Sequence, residues 1–316
     1  MFLDSLKCNN PGRPPIWLMR QAGRYLPEYQ KIRANHTLLS LFHNPKLIVE
    51  ITKQPIDILG VDAAILFSDI LTVLDGLGVP YDFQPGPVVA FQGFDLQTNA
   101  YGHIEESIKQ LKSELQVPLI GFAGGPITIL SYMIDNFKKV MICEPERFDA
   151  LFNTVLEETI RYLKIQEAAG VDCIQIFDSW ARTLSPPFFK KYVQEPLARV
   201  IATLDVPVIL FCKGAASELL ESKPAALSVD WTFDLPTLRK QTKIALQGNL
   251  DPTILYGSKE TIREHTEALL RSMRGDPGFI FNLGHGMLPD IPVDNVRTLI
   301  ETVKASATLY QLSDRP

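Results

Sequence analysis

ERFDALFNTVLEETIRYLKIQEAAGVDCIQIFDS, residues 146–179, holds one full repeat of the fold. Phe148, Leu151, Phe152, Val155, Leu156, Ile160 and Leu163 recur at three- and four-residue spacing, which predicts a helix over 146–169 with one buried stripe. Gly170 suits a left-handed cap, Val171 and Asp172 form a joint, and 173–177 is an apolar run stopped by Asp178 and Ser179. That order reads as helix, turn, buried strand and polar strand end. The same Gly-Val-Asp string at Gly60, Val61 and Asp62 leads into an apolar run at 63–67.

Similar runs lie at 16–19, 119–123, 208–211, 227–229, 244–246 and 279–281, eight in all, separated by segments of helical period. Such alternation predicts a parallel sheet wrapped by helices. Eight strands close on an interior that side chains just fill, so the expectation is a single (β/α)8, TIM-type barrel spanning 1–316 as one domain. Pro118 and Pro207 open two of the runs, where a missing N–H is harmless. Two connections are long: 21–44, and 71–101 with Pro80, Pro85, Gly86 and Pro87 inside it. Loops of that length tend to carry function.

The chain of 316 residues is 46% hydrophobic with a net charge of −5, and no stretch concentrates Lys and Arg as phosphate neutralisation would require. Nucleic acid is therefore not an expected partner. Cys8, Cys143, Cys173 and Cys212 are too widely spaced for a zinc knuckle or a dithiol motif and read as reduced thiols. The first residues lack the charged and apolar regions of a signal peptide, and no apolar run is long enough to span a bilayer, so a cytoplasmic protein is expected.

Almost every run ends in a polar or glycine-rich cluster: Arg20 and Arg24; Ser68 and Asp69; Gly124 and Gly125; Asp178 and Ser179; Lys213 and Gly214; Asp230 and Trp231; Gln247 and Asn249; and His285 between Gly284 and Gly286. In a barrel these share the C-terminal rim, where the active-site cleft sits. Arg20 and Arg24 flank Gly23, and two guanidinium forks suit paired carboxylates; the same spacing fits surface ion pairs with Glu28 or Asp62. Asp69 ends an almost uncharged run and is either a carboxylate in a water-poor site or a helix N-cap. Tyr132 reads as a core tyrosine two turns past the third run, and Ser179 as a helix cap, since no GxSxG elbow frames it. His285, between glycines, is the histidine placed for function; His36, His43, His103 and His265 are expected on the solvated surface.

MRQAGRYLPEY at 19–29 resembles the N-terminal signature of the uroporphyrinogen decarboxylases, and FSDIL at 67–71, GFAGGP at 121–126, IFDSWA at 176–181, ALQGNLDP at 245–252 and FNLGHG at 281–286 are similar to that family's later motifs, in order. The resemblance covers about residues 2–310. It implies cofactor-independent removal of carboxyl groups from the acetates of uroporphyrinogen III, a tetrapyrrole polycarboxylate, by a cytoplasmic homodimer that uses neither a metal nor an organic cofactor. It implies that Arg20, Gln21, Ala22, Gly23 and Arg24 bind substrate carboxylates. Asp69 would face the pyrrole N–H groups and stabilise a cationic transition state, Arg20 and Tyr132 would stand with it in the chemistry, and Ser179 and His285 would complete the binding set.

The chain departs from the family where Ile127, Ala181, Arg182, Ala215 and Ala216 change bulk near the expected rim, and where the loop after Met133 is cut to Ile134, Asp135 and Asn136. Two rival readings are a zinc-dependent corrinoid or thiol methyltransferase on the same barrel and a non-catalytic porphyrinogen-binding protein. The first needs a His-x-Cys pair at the fifth strand end, where Leu210, Phe211 and Cys212 stand; the second would not need Asp69.

Overall fold

Seven of the eight expected runs form one parallel sheet in chain order: β1 (Ala64–Ile65), β2 (Leu119–Gly124), β3 (Cys173–Phe177), β4 (Val208–Phe211), β5 (Ala226–Ser228), β6 (Ala245–Leu250) and β7 (Phe279–Leu283). The computed structural model describes residues 1–83 and 86–307; Pro85, noted above in the second long loop, and the last stretch of the expected domain, 308–316, lie outside the described residues.

The eighth run closes the sheet. Ile16 bridges Phe281 of β7 in parallel, and the Phe281 amide donates to the Pro15 carbonyl at 2.9 Å. On the opposite side the Asp62 amide donates to the Ile16 carbonyl at 2.7 Å, while the Asp62 carboxylate accepts the Ile16 amide at 2.8 Å. Residues 16–19 therefore stand between the last strand and the first, with too few ladder bonds to form a regular strand. Asp172 repeats the device on Leu119, donating from its amide at 2.8 Å and accepting at its carboxylate at 2.7 Å.

Both Gly-Val-Asp joints thus work alike. Gly60 and Gly170 end their helices in the left-handed region, at φ 69° and 113°, and the aspartate two residues on pins the first residue of the adjoining strand. A cation completes each joint: Arg13 makes a two-pronged pair with Asp62 at 2.7 and 2.8 Å, and Lys112 meets Asp172 at 2.6 Å. The helix Pro145–Ala169 matches the expected stripe, burying Phe148, Phe152, Val155, Leu156, Ile160 and Leu163.

Strand side chains alternate between two cores, as a period of two demands. Trp17, Met19, Ile120, Cys173, Ile209, Phe211 and Ile280 form the inner cluster, joined by Phe2 and Leu6 of the first helix; Leu119, Ile174, Ile176, Leu210, Leu227 and Leu246 belong to the larger cluster. A buried polar chain runs through the wall: Trp17 Nε1 donates to Gln247 Oε1 at 2.8 Å, and Gln247 Nε2 donates to Ser228 at 2.9 Å and Gln175 at 3.1 Å. Gln247, expected at the rim, is thus an interior residue. β6 continues to Leu250, beyond the apolar run that marked it, because these hydrogen bonds satisfy its polar side chains inside.

Neither long connection is irregular throughout. The first carries helices Pro27–Arg33 and Leu38–Phe42, and the second carries helix Val73–Leu77 and an antiparallel hairpin of Tyr81–Phe83 with Pro87–Val89. Arg161 on the long helix clamps the second by donating to the carbonyls of Gln97 at 2.8 Å and Thr98 at 3.0 Å.

The two joints differ in burial: the Arg13 and Asp62 side chains are 16% and 12% exposed, against 34% and 22% for Lys112 and Asp172. Asp62→Ala strands a nearly buried cation and the Ile16 amide, and should lower unfolding free energy by about 3 kcal/mol. Asp172→Ala should cost about 1–2 kcal/mol. Urea unfolding of both variants checks the order, and equal losses would contradict it.

Candidate active site

Arg20 leaves the closing segment directly after Met19, and its backbone takes the left-handed region at φ 63°. Its side chain lies across Gly286, where a Cβ would come within 2.5 Å of Arg20 Cδ. Glycine at 286 is what lets the first and last rim loops touch. Asp62 is taken by Arg13, and no carboxylate pairs with Arg20 or Arg24 among the described residues. The amides of Ala22, Gly23 and Arg24 likewise have no protein acceptor among those residues. Three successive N–H groups without a protein acceptor are the kind of backbone that can receive an anion.

Gln21 faces the other way. Its Oε1 accepts the Leu18 amide at 3.0 Å, its Nε2 donates to the Ala63 carbonyl at 3.0 Å, and its own carbonyl accepts the Tyr25 hydroxyl at 2.6 Å. These bonds commit Gln21, expected to bind substrate, to holding the loop on the barrel wall.

Asp69 is not the N-cap of the helix that follows, whose cap position is Thr72, but it fixes the turn before it. Oδ1 accepts the Leu71 amide at 2.9 Å and fixes the turn, while no protein donor reaches Oδ2 among the described residues. Thr72 braces the turn, accepting the Asp69 amide at 3.3 Å and meeting Ser68 Oγ at 2.8 Å. Burial raises the carboxyl from 3.8 to about 6, against the downward pull of the Leu71 hydrogen bond and the Arg20 charge. Arg20 also bears on His285, which burial, Arg20 and Lys213 together push down to about 4 while Asp230 opposes them. Arg20, Asp69 and His285 therefore share one mouth. The His285 ring meets Phe211 and Trp231 edge-on at 5.8 and 6.4 Å, and Lys213 lies over Trp231 at 4.7 Å.

Tyr132 and Ser179 are half-buried, on helix Pro126–Met133 and after β3, and neither hydroxyl has a partner among the described residues. No hydrogen bond, ion pair or ring contact among the described residues joins either to Arg20, Asp69 or His285. Ser179, expected to cap the helix after its own strand, makes no capping bond among the described residues, and its neighbour Asp178 holds the first turn of the helix after β2. Asp178 Oδ1 accepts the Thr128 amide at 2.9 Å and its hydroxyl at 2.7 Å, whereas the buried Oδ2 has no partner. Burial lifts this carboxyl to about 6 as well. Gly125 permits the approach, since a Cβ there would fall 2.3 Å from Asp178 Cγ. Residue type alone could not separate the two candidates, because Asp and Ser cap equally well.

The departures from the family pattern sit deeper than expected. Ile127, Ala181, Ala215 and Ala216 are fully buried and change core packing, not the rim, and Arg182 is exposed, 3.7 Å from Glu218. Among the histidines read as solvated surface, His265 is exposed, but His43 and His103 converge on Asp75 at 2.9 and 4.0 Å. Folding of the long loops brings them together, which sequence spacing does not reveal. Cys212 is buried, a setting that pushes its thiol up and disfavours the thiolate a metal needs.

The family model described as "Uroporphyrinogen decarboxylase (URO-D)" matches residues 1–306. Among curated proteins, the uroporphyrinogen decarboxylase of Protochlamydia amoebophila is 43% identical over 96% of this chain and 91% of its own length. That of Chlamydia pneumoniae is 41% identical over 96% and 98%. Among solved structures, a methyltransferase from Methanosarcina mazei superposes with a TM-score of 0.82 at 20% identity, covering 96% of this chain and 97% of that one. A B12-independent methionine synthase from Shewanella sp. W3-18-1 gives 0.60 at 16%, covering 95% and 96%. At those identities the likeness speaks to the barrel fold alone.

The Asp69 carboxyl should titrate in carbon-13 NMR with a midpoint near 6, and Arg20→Gln should move that midpoint up by removing a charge that holds it down. Because the folded-state value lies above the ordinary 3.8, the native protein takes up this proton first as pH falls. The group's contribution to stability therefore grows as pH drops through about 6 toward 4 and is lost on the way back up. Asp69→Asn should flatten that part of the urea-denaturation profile.

Proposed function

The chain belongs to the uroporphyrinogen decarboxylase family and is a carboxy-lyase, and from that premise we propose that its rim converts the four acetates of uroporphyrinogen III to methyl groups, yielding coproporphyrinogen III. One observation carries the assignment of roles. The Arg20 guanidinium bears on a carboxylate with a free oxygen, and three successive backbone N–H groups without protein acceptors among the described residues follow it in the chain. Such a mouth suits a ligand with anionic arms and a ring whose N–H groups point inward.

Arg20 and Arg24, with the amides of Ala22, Gly23 and Arg24, are assigned to the substrate's carboxylates, and Gln21 to supporting their loop. Asp69 Oδ2 is assigned to the pyrrole N–H groups. A pyrrole acetate holds its carbon dioxide until the electrons of the breaking C–C bond have somewhere to go. Protonating the adjacent ring carbon makes the ring cationic and supplies that sink. Carbon dioxide then leaves, the exocyclic carbon takes up a proton to become methyl, and the ring returns its added proton, so each acetate consumes one proton overall.

Asp69 offsets the transient positive charge. With its carboxyl near 6 it is still about nine-tenths ionised at neutral pH. Charge stabilisation by a fixed group is worth most where water is scarce, the same condition that raises the carboxyl. His285, held near 4, is neutral at working pH and acts as a hydrogen-bonding partner, not as the source of the ring proton. Tyr132 and Ser179 are read as completing the binding wall, and exposed Trp231 and Trp180 offer it apolar faces.

The protein is further read as one domain that works without metal or organic cofactor, as a cytoplasmic homodimer; the family resemblance supports each of these. No helix among the described residues is long and apolar enough to cross a membrane. The methyltransferase reading loses support at Cys212, where burial favours a neutral thiol.

Asp69→Asn keeps shape and the Leu71 hydrogen bond but not the charge. Anaerobic turnover of uroporphyrinogen, followed by chromatography of the products, should fall about 10²–10³-fold, with the melting temperature little changed. Near-normal turnover in that variant would remove Asp69 from the chemistry, and no turnover by the parent protein would favour the carrier reading.

A further inference from the structure

We propose that His43, Asp75 and His103 form a binding site for a divalent transition-metal ion of the zinc class. None of the three belongs to the Arg20, Asp69 and His285 group, and each comes from a different segment. His43 follows helix Leu38–Phe42, Asp75 lies in helix Val73–Leu77, and His103 lies in the first turn of helix Gly102–Glu114.

The donor atoms are already gathered. His43 Nε2 stands 2.9 Å from Asp75 Oδ2, His103 Nε2 stands 4.0 Å from it, and all three atoms lie within 4.8 Å of one another. Ligands bound at 2.0–2.2 Å in a tetrahedron are about 3.3–3.5 Å apart, so small movements of side chains would bring them to coordination distance. No other group of three such donors occurs at this spacing among the described residues.

The orientation of each ring supports a cation. His43 Nδ1 lies 2.9 Å from the Leu39 carbonyl, a bond in which the nitrogen must donate. That leaves Nε2 facing the Asp75 oxygen. In neutral imidazole this sets lone pair against lone pair, and something positive has to lie between them, either a proton or a metal. Donation of the second ring nitrogen to a carbonyl is also how metal-binding histidines are usually oriented. His103 provides an independent observation, for its Nε2 is buried with no hydrogen-bond partner among the described residues. Its ring sits 4.8 Å from that of His43.

Two imidazoles with one carboxylate suit zinc, cobalt or nickel and not calcium or magnesium, which demand oxygen. The His43 side chain is 38% exposed, which provides an entry path and leaves a fourth position for water. An ion here would join both long connections, 21–44 and 71–101, to the helix behind β1. It would stiffen the segment that begins with the Asp69 turn, since Asp75 follows Thr72, the brace of that turn.

The test uses the full chain after chelator treatment and dialysis. Zinc chloride titrated calorimetrically at neutral pH should bind at one ion per chain, and His43→Gln and His103→Gln should each weaken it at least about tenfold with unchanged far-ultraviolet circular dichroism. His265→Gln, a change at an exposed histidine elsewhere, should leave it intact. Cobalt(II) in place of zinc should give d–d bands without thiolate charge transfer. Absence of binding, parental affinity in both variants, or a thiolate band pointing to the cysteines would each overturn the proposal; absence of binding would leave a proton between His43 and Asp75.

Discussion

Closure of the sheet by residues 16–19 is the constraint on which the mouth depends. A parallel sheet has no hairpin to hold its two ends together, so its edges meet only if a segment is fixed between them. Here the fixing falls on Asp62, which fills the hydrogen-bonding positions of Ile16 on one flank while Phe281 takes the other. Arg20 begins where that segment ends. Its left-handed backbone turns the chain over the rim, and Gly286 lets the side chain cross to the far loop. An error in closing the barrel would therefore move the guanidinium away from both Asp69 and His285.

Two acidic side chains at the rim carry the cost of burial, and they resolve it differently. Asp178 spends one oxygen on Thr128 and leaves the other buried without a partner, and no charge lies in contact with it. Its role is to tie β3 to the helix after β2, and at a carboxyl value near 6 a bound proton satisfies the spare oxygen over part of the physiological range. Asp69 spends one oxygen on Leu71 and leaves the other without a protein donor among the described residues, within the field of Arg20. Burial weakens both acids alike, and they differ in that Arg20 bears on Asp69 whereas the spare oxygen of Asp178 is buried.

That distinction marks the limit of what the primary structure could disclose. The alternation of apolar runs and helical stripes identified all eight walls, since burial on both faces leaves a strong signal in short strands; β3 and β4 match their runs residue for residue. Gln247 was misread as rim because a polar residue in a barrel interior is stabilised by partners from distant strands, Trp17, Gln175 and Ser228. That Arg20 and Asp69 stand at strand ends was legible from the apolar runs before them, whereas the inward turn of Gln21 depends on bonds to Leu18 and Ala63 that no local pattern encodes. The meeting of His43, Asp75 and His103 was hidden for the same reason: all three lie on connections whose course is set by tertiary contacts such as the Arg161 clamp.

A chain of net charge −5 is an unlikely partner for a polyanion if the whole molecule is taken as one charge, and local fields resolve the matter. Exposed charges more than about 8–10 Å apart are largely screened at physiological ionic strength, so acidic residues on the outer helices scarcely reach the mouth. The cations that bear on the mouth are Arg20 and Lys213, neither of which is neutralised by a carboxylate contact among the described residues. Leaving them unpaired raises His285's resistance to protonation and holds Asp69 toward its ionised form. In the proposed function Arg20 would both attract the anionic arms and preserve the negative charge assigned to Asp69. Arginine pairs placed at this rim to gain stability would have removed both effects.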